Sequence, residues 1–264
     1  MNRRVIDCWI LLLILPLLLA CGREQQSSLP SLKRQAIHWA ERHMEHLQLS
    51  TCMDSAYWMG ICWNLYQLSQ DTAFWIEAEM YMEPLSPLND SGFNSKTAYR
   101  SYLAFGKGFD ATGNRHYKHE VWDLGSYLLA DTVCINASTI EALLWATAHE
   151  GCHCFREAAE RWGRRQIRSD SLSIDIIQGL GILYAYTADT VYGEALQQIK
   201  QKNTLDNNLD SLRFASVCCY VEPFLSGNRC SDEISTMLQG CTLDEFTTLP
   251  TVFYFTEILL KLLE

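Results

Sequence analysis

The chain has 264 residues, a formal net charge of −10 and a hydrophobic fraction of 48%. That length suffices for one large domain with a substantial core. The acidic balance offers no basic run or stripe with which to displace phosphate counterions, so no nucleic-acid partner is expected, and it also counts mildly against an anionic substrate.

Read from the start, Asn2-Arg3-Arg4 precedes an apolar run from Trp9 to Ala20, followed by Leu18-Leu19-Ala20-Cys21-Gly22. A basic segment, a short apolar segment and small residues at a cleavage point describe a secretory signal over 1–20 rather than a membrane span. Leu-Leu-Ala-Cys resembles the bacterial lipobox, which implies acylation of Cys21 and a place in the cell envelope, tethered to a membrane by the lipid. A short uncleaved anchor is the alternative. Residues 21–30 then read as a polar, proline-ended tether, and residues 31–264 as the folded domain.

Along that domain, apolar residues recur at three- and four-residue spacing and strand signals are nearly absent, which predicts an all-α fold. Helices are predicted at 31–47, 56–68, 97–110, 138–149, 174–186, 211–224 and 251–263. The joints after the second to fifth of these resemble one another: Ser69–Phe74, Thr112–Tyr117, Glu150–Phe155 and Thr187–Tyr192, with Ser226-Gly227-Asn228 at the same rhythm. Their closing aromatics fall at 74, 117, 155 and 192, so the period is about forty residues. Such a period marks stacked helical hairpins. An aromatic-rich helix precedes each joint and a charged one follows, as in residues 155–162. Apolar helices inside and charged helices outside predict an α/α toroid of about six hairpins.

One joint carries a second signal. His149-Glu150-Gly151-Cys152-His153 matches the H-E-x-x-H zinc-peptidase pattern, which works only on an unbroken helix. Gly151 falls where Gly113 and Gly227 fall, at a helix end, so the two histidines are expected on different helices and no metal or other cofactor is expected. A zinc peptidase remains the remote alternative. Of the eleven cysteines, Cys8 lies in the signal segment and Cys21 at the lipidation site. Cys62 and Cys218-Cys219 sit in apolar patterns, where buried free thiols are expected, and Cys152-His153-Cys154 offers a partial metal site.

The starts of the inner helices should surround one funnel. The acidic residues there are Asp54, Asp90, Asp175, Asp206 and Asp210, most of which read as helix caps. Asp90 is set apart, several residues before its helix among glycine and aromatic neighbours. Tyr57 and Trp58, near a helix start, are candidates to stack on a sugar, with core filling as the alternative.

These residues carry a resemblance. Tyr57-Trp58-Met59-Gly60 with Leu65-Tyr66, Asn89-Asp90-Ser91-Gly92-Phe93, Ser101-Tyr102, Ala111–Asn114, Leu143–Ala146, Gln178–Gly181 and Tyr254–Leu259 are similar, in order and spacing, to motifs of glycoside hydrolase family 88, the unsaturated glucuronyl hydrolases. The resemblance implies a six-hairpin toroid and an oligosaccharide substrate ending in a C4=C5 unsaturated uronic acid. It implies that an aspartic acid protonates C4 and assists water onto C5, so that a hemiketal forms and the glycosidic bond falls apart. That chemistry needs a carboxyl group with a raised pKa. Asp90 matches one family aspartate. At the other, this chain has Ile135 or Asn136, neither of which donates a proton to carbon, so Asp131 just upstream is the candidate substitute. Gln178 matches a binding-site glutamine. The alternative is a catalytically degenerate toroid that binds a glycan or a protein partner.

Overall fold

The computed structural model of the chain describes residues 29–44, 49, 51–82, 95–130, 135–168, 173–200, 212, 215–216, 229–239 and 248–263. Among the described residues the regular structure is entirely helical: α1 (Leu29–Met44), α2 (Cys52–Ser69), α3 (Thr72–Met82), α4 (Ser95–Ser101), a π-helical turn (Tyr102–Gly106) continuing into α5 (Lys107–Thr112), α6 (Arg115–Ala130), α7 (Ala137–Glu150), α8 (His153–Ile167), α9 (Ile174–Thr187), α10 (Thr190–Lys200), α11 (Arg229–Gln239) and α12 (Leu249–Leu263).

The helices form an α/α toroid. The inner wall is α2, the continuous run 95–112, α7, α9 and α12. Each inner helix packs against the next or against the hairpin partner that follows it, and α12 packs on α2 to close the ring. Buried Leu212, Ala215 and Ser216 belong to the arc between α9 and α12. Outside stand α3, α6, α8, α10 and α11, and α1 covers the seam between α12 and α2. Inner helices are apolar nearly all round; α9 buries every residue from Ile177 to Tyr184. Outer helices bury one stripe, as α8 does with Phe155, Ala158, Ala159, Trp162 and Gly163.

The joints are built alike, for local reasons. Four inner helices, α2, the run 95–112, α7 and α9, each end on a residue in the left-handed region: Gln70 (φ 60°), Gly113 (φ 70°), Gly151 (φ 72°) and Ala188 (φ 52°). Its backbone N–H bonds the carbonyl four residues back, the usual closure of a helix C-terminus. The next residue starts the outer helix. Asp71, Asn114 and Asp189 each accept the backbone N–H two residues on, at 2.9, 3.1 and 3.1 Å. At the third joint that position is Cys152, and the same two-residue span is closed covalently by the Cys152–Cys154 disulfide. The joint aromatic four residues after the left-handed one then packs back on the preceding hairpin. Phe155 lies over Gly125 and Tyr192 over Gly163, where an added Cβ would approach the rings to 2.9 Å. Those glycines let neighbouring outer helices come together.

The zinc-peptidase pattern is therefore split. His149 ends α7 and His153 begins α8, with the left-handed Gly151 between them. The metal reading of Cys152-His153-Cys154 is corrected as well, because both thiols are committed to each other. Cys62 is a buried free thiol as expected. Among the described residues no helix is long and apolar enough to cross a membrane. The leader, Cys21 and the tether up to residue 28 lie outside the described residues, as do Cys218-Cys219.

Candidate functional site

Every inner helix starts at the same end of the ring, so equal counts from each start give a layer. Tyr57, Tyr99, Glu141, Gln178 and Tyr254 each fall five or six residues into their helices, about 7 Å below the mouth at 1.5 Å per residue. The layer is polar and aromatic. Tyr57 is half-buried, with its ring centroid 6.1 Å from Tyr99 and 5.6 Å from Phe253. Gln178 Nε2 lies 3.2 Å from the Tyr254 hydroxyl, which lies 3.5 Å from that of Tyr99. Tyr99, Glu141, Gln178, Ser216, Tyr254 and Glu257 border a cavity of about 10 Å³, room for about one water molecule.

Beneath this layer is a buried charge network. Lys107 Nζ donates to Glu257 Oε1 at 2.7 Å, and Asn64 Nδ2 donates to Glu257 Oε2 at 3.2 Å. The Tyr102 hydroxyl donates to Glu141 Oε1 at 2.9 Å. Burial opposes the charge on Lys107, yet Glu257, Glu141 and Asp110 outweigh it and hold the ammonium above its ordinary range. Burial raises Glu141, and although Lys107 and the Tyr102 hydroxyl pull the other way, the carboxyl stays above the usual range. It has the attributes of a positioned acid: a raised pKa, a hydrogen bond fixing its orientation, and a face on a water-sized space. The π-helical turn Tyr102–Gly106 supports this arrangement, since it carries Tyr102 and aims the following Lys107 inward.

At the far end of the ring, Trp145 Nε1 donates to Asp110 Oδ1 at 2.9 Å, and His149 Nε2 lies 3.7 Å from the same oxygen. The histidine of the apparent zinc motif thus faces an aspartate.

The sequence-derived residues fare unequally. Tyr57 and Gln178 belong to the mouth layer. Trp58 does not, and its reading as a sugar platform is corrected: one residue further round α2, it points outward, is wholly buried, donates from Nε1 to Glu77 Oε1 at 3.0 Å and packs on Trp39. Asp54 is a cap, receiving the Thr51 N–H at 2.9 Å while Thr51 Oγ1 receives its own at 3.1 Å. Asn136 caps α7, accepting from Thr139 N at 3.1 Å, and Ile135 is buried. Asp175 is exposed in the first turn of α9. Asp90, Asp131, Asp206 and Asp210 lie outside the described residues. Glu141 and Lys107 have no place among the residues singled out in the sequence, and Glu257 enters only within Tyr254–Leu259. Their signal was a lone charge inside an apolar run: STIEALLW, YLAFGKGF and VFYFTEILL.

No family model and no curated protein matches the sequence. Among solved structures the fold is similar to the crystal structure of an unsaturated glucuronyl hydrolase specific for heparin, with a TM-score of 0.73 and 12% sequence identity over 88% of this chain and 96% of that chain. At that identity the likeness shows the fold alone, an all-helical toroid.

Proposed function

We propose that this protein is a glycoside hydrolase-like enzyme acting at the mouth of the ring on oligosaccharides that end in a C4=C5 unsaturated uronic acid. The observation that carries the reading is Glu141, a buried carboxyl of raised pKa facing a water-sized cavity at the mouth layer of a toroid whose fold neighbour is a glucuronyl hydrolase. In this reading the protonated carboxyl of Glu141 gives its proton to C4 of the vinyl ether, water adds to C5, and the hemiketal opens with loss of the leaving sugar. Asp90, in the segment before α4, is the partner carboxylate that takes the proton from water. Tyr57 lends a ring face to the sugar, and Gln178 with Tyr254 offers hydrogen bonds to its hydroxyls. The protein would work in the cell envelope, held through a lipid on Cys21.

A second reading, a toroid that binds glycan without turning it over, draws on the cavity itself: at about 10 Å³ it admits water but no sugar ring. Loss of absorbance near 230 nm, as the unsaturated uronate is consumed, tests the enzyme reading. No loss with any of several lyase-generated disaccharides, alongside measurable binding of the same sugars, would favour the second.

A further inference from the structure

The net acidity of the chain hides a local exception. Helix α8 and its cap carry Arg161, Arg164, Arg165 and Arg168, at spacings of three, four and seven residues, all exposed and opposite the buried stripe. They follow one another over about 10 Å of helix. Their side chains frame an open, shallow depression on the outer surface. The expectation that the chain has no basic stripe is thereby corrected. It rested on total charge, whereas a stripe needs only one helix face.

Part of this charge is spent locally. Arg161 lies 3.8 Å from Glu157, and Arg164 lies 3.5 Å from Glu160, a carboxylate already bonded by Arg156 at 2.7 Å. Arg165 and Arg168 have no carboxylate partner among the described residues. A basic residue near a helix C-terminus complements the helix dipole, but one or two suffice for that. With Arg161 and Arg164 partly neutralised by their own glutamates, Arg165 and Arg168 are the two guanidinium groups whose charge an incoming anion would meet. Their planar forks suit carboxylate and sulfate oxygens in pairs.

Topology gives the stripe its bearing on the mouth. Inner helices run from the mouth to the joints, so α8 runs back, and Arg168 stands at the mouth end of the outer wall with Arg161 further down. We propose that this arginine stripe is a binding site for the sulfated or carboxylated part of an acidic oligosaccharide whose terminal unsaturated sugar enters the mouth. The choice of a glycan as the polyanion rests on the reading under Proposed function. The stripe would select long anionic chains, because a disaccharide held at the mouth does not reach the outer wall.

The test uses the full chain and its R165E/R168E variant, both of whose changes are on the surface. Calorimetric titration at low salt with a saturated, sulfated hexasaccharide of alternating uronate and hexosamine reads the stripe alone, since that probe has no C4=C5 bond. Wild type should bind it more weakly as salt rises, and the variant should lose at least about tenfold in affinity, the equivalent of one good charge-assisted contact. Turnover of an unsaturated disaccharide should agree between the two proteins within about twofold. Equal affinity in both proteins, or no binding by wild type, overturns the proposal. So does wild-type binding to anionic phospholipid vesicles without binding to the hexasaccharide, which would make the stripe a membrane contact. If wild type turns over no disaccharide yet binds the hexasaccharide in an arginine-dependent way, the proposal stands and the enzymatic reading falls.

Discussion

Lys107 Nζ and Glu257 Oε1 are 2.7 Å apart at the centre of the ring, joining the second inner arc to the last across 150 residues of chain, and both side chains are more than nine-tenths buried. Such a pair stabilises little against an apolar replacement, but losing one partner strands a buried charge. Lys107→Met should cost about 3–5 kcal/mol, and Lys107→Met with Glu257→Met should recover most of that loss. Urea unfolding of the single and double variants measures both.

Glu141 gives stability a pH dependence of definite sign. Its carboxyl is raised in the fold, by burial above all, so between its ordinary value of about 4.3 and its raised value the native state holds more protons than the unfolded one. Stability from this group is therefore complete below the lower value and is lost as pH rises through the upper. Glu141→Gln should flatten that slope in unfolding curves taken across the acid range. In turnover assays the same change should remove a factor of ~10² to 10⁴, and the wild-type rate should decline as pH rises through the raised pKa.

The two aromatic neighbours on α2 should separate cleanly. Trp58→Phe removes the donor to Glu77 and leaves a buried acceptor unmet, at about 1–3 kcal/mol, with sugar affinity unchanged. Tyr57→Ala should weaken binding of an unsaturated disaccharide while the protein keeps most of its stability. Paired calorimetry and urea titration distinguish them; a loss of sugar affinity in the Trp58 variant would refute the outward placement.

The disulfide at the third joint spans two residues, and closing so small a loop restrains the unfolded chain by only about 1.5 kcal/mol. Its place in the fold is that of the aspartate or asparagine cap at the other joints. The Cys152→Asp, Cys154→Ala variant should therefore match wild type in thermal unfolding, within about 1 kcal/mol, and should be insensitive to reductant. The Cys152→Ala, Cys154→Ala variant should be the less stable by roughly one N-cap, about 1 kcal/mol.

The toroid was legible because its joints repeat. Gly113 and Gly151 mark helix ends by needing no Cβ, and the aromatics at 74, 117, 155 and 192 keep their distance from them. Gln70 and Ala188 show why glycine alone was an incomplete guide: the hydrogen bonds of the joint hold non-glycine residues left-handed as well. The site was less legible. Their place near a helix start singles out Tyr57 and Trp58 alike, but a helix turns 100° per residue, so Tyr57 shares the mouth layer while Trp58 faces the outer wall. Glu141 is less legible because it lies a turn and a half inside its helix and not in the loop before it. The arginine stripe was lost in the sum over the whole chain.

The seam of the ring has a consequence for folding. Helix α12 rests on α2, and α1 rests on both, so α1 and α2 are complete only when α12, far along the chain, has docked. Until then α2 exposes a flank rich in aromatic rings, including Tyr57, which contacts Phe253. A polypeptide made without α12 keeps that sticky edge, so truncations that remove α12 should aggregate rather than yield a smaller soluble ring.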